Sequence, residues 1–505
     1  MTTASSNRHD VDIARGAGVN VLGIIGKALL PAFYVLVTRL FGPALMGVYY
    51  LATQMIEVAI TLTVSGFSDG ILMFASRYVN DKEKEDRLYR VMANGVVFTL
   101  GISALLILFS YVGGPAILLS HYPQPGVLDA VQALAWSLPL IGVPTIVIAA
   151  TKSLLIMKWD AILLGFLRPA LLVVFAFAAW AFDLGLDGLL WGYVASQAVL
   201  TIVSLFVFAR HFSYARLAAH MIRFRPFGPL AVFALPQNLN MTFNTLIGNL
   251  DVMMLGSFGF APEILGFYGM GSQIVRNVRQ VKLAFSGSYA PVIARFHERG
   301  DLVGLSESFS TVARWTTTIG LPIALAVGLL REDLLRIFHP SFTMDSTFML
   351  LLLVPPVLSC SFGLAGNIVV MTGHSMWNLF NSVTVAALNL LLLWLLIPPF
   401  GIVGAAAASL AASTVITIAQ LVEAQALVGA RLVWARIHKP FTAALPAVAV
   451  GVTWTLTGLD GSLPLRIVGA ILGMALFAAT LKALGIDPKD RAVLRPWSRS
   501  GPEDF

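Results

Sequence analysis

The chain has 505 residues, of which 57% are apolar and only 12% are charged, whereas about 25% of residues are charged in a typical soluble domain. Its mean hydropathy is +0.82 and its formal net charge at pH 7 is +7. These values exclude an ordinary soluble globular protein and indicate a multi-pass membrane protein. The single cysteine, Cys360, excludes disulfide bonds within the chain and is expected to be a small core residue.

About fourteen segments are apolar enough to cross a hydrocarbon core, which needs roughly 20 residues per helix. We therefore predict an all-α polytopic membrane protein. The predicted segments, counted in chain order, start near Gly18, Leu45, Val91, Val131, Ile162, Gly188, Leu230, Ile264, Thr311, Phe348, Trp377, Ile402, Phe441 and Leu465.

Lys and Arg are concentrated in alternate loops, and basic loops normally face the cytoplasm. Placing both termini in the cytoplasm puts every basic residue inside except Lys27, Arg39, Arg331, Arg336 and Arg466. The positive charge therefore reflects the membrane orientation. Because no basic stripe is interleaved with exposed aromatic residues, we expect no nucleic-acid partner.

Two stretches, residues 41–57 and 260–276, match at a constant offset. The offset pairs Phe41 with Phe260, Pro43 with Pro262, Gly47 with Gly266, Tyr49 with Tyr268 and Gln54 with Gln273. Such a duplication within apolar segments is typical of transporters, in which two helix bundles face a substrate site near the membrane midplane. The predicted parts are a cytoplasmic tail (1–16), an N-lobe of segments 1–6 (17–210), a cytoplasmic inter-lobe loop (211–226), a C-lobe of segments 7–12 (227–430), segments 13–14 (440–485) and a cytoplasmic C-terminal tail (486–505).

Ionisable residues within apolar segments cost free energy and usually face a cavity or a partner. Lys27 lies in segment 1, Glu57 in segment 2 and Arg276 in segment 8. Because Glu57 and Arg276 are equivalent in the repeat, we expect them to face each other across a central cleft. The structural alternative for Lys27 and Glu57 is an internal salt bridge. Asp69 lies nearer the cytoplasmic end of segment 2, where capping or solvation is as good an interpretation as function.

Segment 8 continues with Arg279 and Lys282, at spacings of three from Arg276 and so on one helix face. Arginine binds phosphate oxygens in a bidentate fork. The row predicts a phosphate or diphosphate site, with Arg276, Arg279 and Lys27 as candidate ligands. The alternative is that Arg279 and Lys282 extend to the inner headgroups.

Segment 7 carries a polar stripe at helical spacing. Its members are Gln237, Met241, Asn244, Gly248 and Asp251, broadened by Asn238, Asn240 and Asn249. Amides within a membrane face a wet cavity or a neighbouring helix, and Pro236 favours a cavity-lining helix. Gln237, Asn240 and Asn244 are therefore candidate sugar ligands, with helix–helix hydrogen bonding as the alternative. Asp251, together with Glu57 and Asp69, is a candidate for gating or ion coupling.

Patterns for enzymatic chemistry are absent from the sequence. The histidines and Cys360 lack metal-ligand spacing, and no nucleotide-binding G-x-x-x-x-G-K-[ST] loop occurs. Residues 66–70 fit G-x-S-x-G, but that motif requires a strand-to-helix turn, whereas here we expect the glycines to adjust helix packing. We predict no metal, no cofactor and no catalytic activity.

Several stretches resemble the bacterial polysaccharide-biosynthesis membrane proteins, the O-antigen and exopolysaccharide flippases. The first runs from Leu40 to Tyr49 and from Ser65 to Tyr78. The second comprises Gly366-Asn367, Thr372-Gly373-His374, Asn389-Leu390, Leu396-Ile397-Pro398 and the series from Gly401 to Ala406, with a matching turn from Gly185 to Gly188 in the first half.

This resemblance implies the fold of the multidrug/oligosaccharidyl-lipid/polysaccharide (MOP) exporters, in which two six-helix lobes alternate between inward-open and outward-open states. It implies an oligosaccharide on an undecaprenyl diphosphate carrier, moved from the cytoplasmic to the periplasmic leaflet of the bacterial inner membrane. The implied partners are this lipid-linked substrate, membrane lipids, a polysaccharide polymerase and export machinery. Segment 1 lacks the multiple arginines of the lipid II flippase relatives, which favours surface or secreted polysaccharide over peptidoglycan precursors.

Two other functions are compatible with the sequence. A cation-coupled multidrug exporter of the same fold would be expected to centre on an acidic site. An integral-membrane polymerase or acyltransferase is disfavoured because no long outside loop and no His/Asp active-site pattern occurs. Transport coupled to H⁺ or Na⁺ and passive exchange of the substrate are both compatible with the sequence.

Overall fold

The computed structural model describes residue 26 and residues 29–78, 85–457 and 462–485, and every regular element in these ranges is a helix. The helices of the first half are α1 Leu29–Phe41, α2 Pro43–Ala75, α3 Glu85–Val112, α4 Gly114–His121, α5 Val127–Ala135, α6 Ser137–Ser153, α7 Lys158–Ala181, α8 Gly185–His211 and α9 Tyr214–Ile222. Those of the second half are α10 Gly228–Ser257, α11 Pro262–Arg276, α12 Gln280–Glu298, α13 Leu302–Leu329, α14 Arg331–Phe338, α15 Thr347–Phe362, α16 Leu364–Met371, α17 Ser375–Val428, α18 Trp434–Leu456 and α19 Leu463–Ala483.

Within the described ranges, 8 helices are long and apolar enough to cross a membrane, and α15 with α16, bent by 48°, adds a ninth candidate. The all-α polytopic prediction is confirmed, while the number of fourteen segments stays a prediction. One source of the difference is α17, which counts as a single helix although two segments were predicted there. The amides of α10 are another, because they lower the hydropathy of that helix.

The first of two compact units contains the described residues up to 270, with Leu335–Met344 and Leu379–Ala412. Its core lies among α2, α3, α6, α7, α8 and the start of α10. Phe67 of α2 stacks on Phe98 of α3 with ring centroids 5.2 Å apart. Helices α2 and α10 pack extensively against each other, so the first helix of the predicted C-lobe packs along a helix of the predicted N-lobe.

The approach to α10 is fixed by Asn94 of α3. Its Oδ1 accepts a hydrogen bond from the backbone N–H of Phe227 (2.9 Å), and its Nδ2 donates to the carbonyl of Arg225 (3.0 Å). The predicted inter-lobe loop contains α9, whose Arg216 forms an ion pair with Glu85 at the start of α3. The segment is therefore a structured connection.

The second unit contains Gly271–Leu334, Asp345–Asn378 and the described residues from 413 onwards. Its main core joins α12, α13, α16, the end of α17 and α18, and a smaller apolar cluster of Ala443, Ala444, Ala447 and Phe477 joins α18 to α19. Cys360 is a free thiol only 1% exposed, as expected for a small core residue.

A backbone break divides the long helix α17 at Gly401, where φ is 57° and ψ is −132°. Side chains disfavour this conformation, so glycine is the residue suited to it. Three residues later, a Cβ on Gly404 would lie 2.0 Å from the carbonyl oxygen of Leu396. Gly401 and Gly404, both in the series that resembles the flippases, are therefore explained by the local backbone geometry.

Candidate functional site

The two copies of the repeat meet where α2 and α11 begin. A Cβ on Gly47 would lie 1.7 Å from the carbonyl oxygen of Pro262, and a Cβ on Gly266 would lie 2.8 Å from that of Pro43. The contacts are reciprocal, as an approximate twofold axis between the repeats requires. Only residues without a side chain allow the two backbones to approach so closely.

Further contacts hold the same end of this unit. Gln124 Nε2 donates to the carbonyls of Gly256 (2.7 Å) and Phe260 (3.0 Å). Arg39 Nε donates to the carbonyl of Ile337 at 2.7 Å. All of these residues lie at the end that the distribution of basic residues predicts to be outside, and that end of the first unit is packed together.

Polar contacts join α2 to α10 along the rest of their length, in antiparallel register. We call this set the polar seam. It comprises Asn249 Nδ2 to Glu57 Oε2 (3.5 Å), Thr61 Oγ1 to Thr245 Oγ1 (3.2 Å), the backbone N–H of Gly66 to Asn238 Oδ1, and Gln237 Nε2 to Asp69 Oδ2 (3.4 Å).

The seam has a closely packed middle and exposed carboxylates at its two ends. A Cβ on Gly66 would lie 2.2 Å from the carbonyl oxygen of Ala234, and Asn238 is only 2% exposed. Glu57 and Asp69 are both exposed. Three of the four contacts are 3.2 to 3.5 Å long, at the weak limit of hydrogen bonding, so water can replace them at little cost.

Two of the three candidate sugar ligands belong to a network with α17. Asn244 Nδ2 donates to the carbonyl of Asn240 (2.8 Å) and to Ser382 Oγ (3.2 Å), and Ser382 Oγ donates to Asn240 Oδ1 (3.1 Å). This network corresponds to the helix–helix alternative for these amides. Gln237 lies apart from it, beside Asp69. A sugar-binding role for the three residues stays a prediction.

Asp251 is buried, with 4% of its surface exposed. Its Oδ2 accepts a hydrogen bond from the Tyr268 hydroxyl (2.8 Å), and its Oδ1 accepts one from the backbone N–H of Val252 (2.9 Å). Tyr49, the repeat equivalent of Tyr268, packs edge-on against the rings of Phe33 and Tyr193. The carboxylate therefore marks a place where the two repeats differ, and its part in gating or ion coupling stays a prediction.

The basic row, which consists of Arg276, Arg279 and Lys282, lies in the second unit, at a change in helix type. Arg276 ends α11, residues Asn277–Arg279 form a 3₁₀ turn, and α12 follows. Side chains three residues apart eclipse one another in a 3₁₀ turn, which aligns Arg279 with Arg276. Arg279 is exposed, while Arg276 and Lys282 are half-buried. If Gly363, which directly follows α15, carried a Cβ, that atom would lie 2.8 Å from Nζ of Lys282. The ammonium group of Lys282 therefore lies beside the end of α15.

The expected pairing of Glu57 with Arg276 would join the two units and stays a prediction. Lys27 lies outside the described residues. Sequence reasoning missed the seam partners Thr61 and Thr245, although Glu57, Thr61, Ser65 and Asp69 recur at every fourth residue of α2. That spacing places them on one helix face and could have revealed the seam. Ser382 was also missed, although it lies in a polar stretch with Asn381 and Thr384.

The fold is similar to those of solved membrane transporters. The structure titled "Lipid II flippase MurJ, inward closed conformation" matches with a TM-score of 0.68 at 13% identity, over 92% of this chain and 98% of that chain. An inward-facing multidrug resistance MATE family transporter of the MOP superfamily matches with a TM-score of 0.65 at 14% identity, over 80% and 95%. The MATE multidrug transporter DinF-BH matches with a TM-score of 0.60 at 16% identity, over 80% and 94%.

These similarities confirm the predicted MOP-type helical fold. Among curated proteins, none matches the sequence at a significant level. The sequence model of the family described as "Polysaccharide biosynthesis protein" matches residues 35–341, a range that contains the repeat, the polar seam and the basic row. The chain therefore belongs to the polysaccharide biosynthesis protein family.

Proposed function

We propose that the chain is a flippase, which carries an oligosaccharide linked to undecaprenyl diphosphate from the cytoplasmic to the periplasmic leaflet by alternating access. It would act in O-antigen or exopolysaccharide synthesis in the bacterial inner membrane, with both termini cytoplasmic. It would supply a polysaccharide polymerase and export machinery and would catalyse no bond chemistry itself.

The polar seam is the observation that carries this proposal. Transport by alternating access requires helices that separate and rejoin within the membrane. Apolar helices lose little by separating into lipid, but a row of amides, hydroxyls and carboxylates needs water or substrate in its place. The three weak contacts between α2 and α10 therefore suit a surface that opens onto a wet pathway. Family membership supports a polysaccharide intermediate as the cargo.

We propose that the basic row binds the diphosphate, because Arg276, Arg279 and Lys282 present cationic groups in succession. Charge-assisted hydrogen bonds from guanidinium groups suit phosphate oxygens. The sugar part, rich in hydroxyls, would meet the amides of α10. The polyprenyl tail would stay in the bilayer.

A deletion strain tests the proposed function directly. Lipid-linked oligosaccharide should accumulate in the cytoplasmic leaflet, surface glycan should be lost, and the wild-type chain should restore both. Drug sensitivity with normal surface glycan would instead favour a multidrug exporter, the alternative that the MATE-like fold keeps open.

The basic row is tested by Arg276→Ala, with Arg299→Ala as a control at an exposed arginine after α12. Losing one charge-assisted phosphate contact, worth about 1.5–3 kcal/mol, should reduce complementation by roughly tenfold or more. Membrane insertion, measured by immunoblot of the membrane fraction, should be unchanged. Full complementation by Arg276→Ala would remove the diphosphate assignment.

A further inference from the structure

An apolar groove in the second unit lies between α13, α15 and α18. It has a volume of about 460 Å³ and is lined mainly by leucine, valine, alanine and glycine residues, and Arg331 is the one charged residue among the described residues that line it. Leu350, Val354, Val448 and Val452 of its walls are 38% to 50% exposed. In membrane-spanning helices such a surface faces hydrocarbon, so the groove opens towards lipid.

Arg331 stands at the end of this groove, directly after α13. One of its terminal nitrogens donates to the carbonyl of Gly328 at 2.9 Å, while its buried Nε has no hydrogen-bond partner among the described residues. A buried guanidinium N–H without a partner costs free energy. This N–H group is therefore available to an acceptor that the described residues do not supply.

The neighbouring acids are engaged elsewhere. Glu332 and Asp333 both pair with Arg466, at 2.9 Å and 3.2 Å. The pKa of Asp345 is lowered mainly by the hydrogen bond from the Thr347 hydroxyl, then by that from the Thr347 backbone, and only slightly by Arg331. No carboxylate of the described chain lies within ion-pair distance of Arg331.

We propose that the groove is a phospholipid site, in which the phosphodiester accepts hydrogen bonds from Arg331 and one acyl chain lies against α13, α15 and α18. Leu321 to Leu329 spans about 12 Å of helix, enough for the upper part of an acyl chain. The distribution of basic residues predicts Arg331 to be outside, so the lipid belongs to the periplasmic leaflet. This site lies outside the polar seam and the basic row, and it does not depend on the proposed function.

Photolabelling tests the site with the full-length protein purified in dodecyl maltoside. The probes are phosphatidylethanolamine with a diazirine in its acyl chain and a diacylglycerol with the same chain but no phosphate. The phospholipid should label peptides of α13, α15 and α18, and the diacylglycerol should label them about tenfold less, the ratio expected from one charge-assisted hydrogen bond.

Variants separate the phosphate contact from the apolar groove. Arg331→Gln should lower phospholipid labelling to the diacylglycerol level, whereas Arg336→Gln, at an exposed arginine of the same short helix α14, should leave it unchanged. Ala447→Phe, which fills the groove, should block labelling by both probes. If Arg331→Gln does not fold, the comparison of the two probes on the wild-type chain still decides the question.

Three results would overturn the proposal. Equal labelling by the two probes would show that the phosphate is not recognised. Unchanged labelling of a folded Arg331→Gln variant would show that Arg331 is not the contact. Displacement of the label by farnesyl diphosphate but not by unlabelled phosphatidylethanolamine would assign the groove to the polyprenyl carrier instead.

Discussion

Tyr268 and Tyr49 are equivalent in the repeat, yet only Tyr268 donates its hydroxyl to a buried carboxylate, that of Asp251. We expect Tyr268→Phe to destabilise the protein by roughly 1–3 kcal/mol, because a buried acceptor loses its partner. Thermal unfolding in detergent measures the loss. The matched control is Tyr49→Phe, which we expect to cost less.

A double-mutant cycle shows whether the loss belongs to this hydrogen bond. In an Asp251→Leu background, which has no side-chain acceptor, the same Tyr268→Phe change should cost clearly less than in the wild-type chain. An identical cost in both backgrounds would mean that the tyrosine stabilises the protein through its ring alone.

For individual residues, the sequence predicted which positions are polar better than it predicted their hydrogen-bond partners. Asp251 and the amides of α10 were identified as polar residues in an apolar helix, but nothing in the sequence indicates that Asp251 faces Tyr268 or that Asn244 faces Ser382. Each partner lies on another helix, 17 residues away for Asp251 and 138 residues away for Asn244, so it depends on how the helices pack, and the pattern of a single helix contains no information about its neighbour. The roles of Gln237, Asn240, Asn244 and the basic row in binding remain predictions.

The crossing of α2 and α11 has little tolerance for any side chain. In Gly47→Val the new Cβ would meet a backbone carbonyl, which cannot move aside cheaply. We expect a severe loss of folded protein, measured by size-exclusion chromatography of detergent extracts. Gly101→Val is the control, because a Cβ on Gly101 of α3 meets nothing within 4 Å. Similar yields for the two variants would contradict the close crossing.

The polar seam should open during transport, and a reversible cross-link tests this. In a Cys360→Ser background, we expect cysteines replacing Thr61 and Thr245, whose hydroxyls are 3.2 Å apart, to form a disulfide under oxidation. Transport should then stop and should return on reduction. Export of labelled lipid-linked oligosaccharide in cells measures both states.

A control pair with nearly the same spacing exists in the second unit. The hydroxyls of Thr317 in α13 and Ser361 in α15 are 3.1 Å apart, and both helices belong to the predicted C-lobe. Cross-linking cysteines at these positions should leave transport intact. Undiminished transport with the seam pair fully oxidised would mean that α2 and α10 do not separate.

Helix positions were predictable because hydrophobic length and prolines determine them. Prolines begin α2 and α11 at equivalent repeat positions, and the predicted segments 13 and 14 correspond to α18 and α19. The short helix α9 was missed because its 9 residues are too few to cross a membrane and it lies between segments. The 3₁₀ turn at Asn277–Arg279 was missed because its sequence contains neither glycine nor proline.

For the whole molecule, the orientation can be tested with reporter fusions. Alkaline phosphatase fused after Gln124 should be active, and green fluorescent protein fused after Gly300 or at the C-terminus should fluoresce. The reason is that basic loops are retained in the cytoplasm. The reverse pattern would invert the predicted topology and the leaflet assigned to Arg331.

The polar seam also has a consequence for biosynthesis. Its partners are separated by 168 to 192 residues in the chain. At roughly 5–20 residues per second, α2 leaves the ribosome about 8–40 s before α10 does. During that interval Glu57 and Asp69 are without these partners in a newly inserted helix. We therefore expect α2 to stay beside the insertion machinery until α10 arrives, so that biogenesis, and not only transport, depends on these contacts.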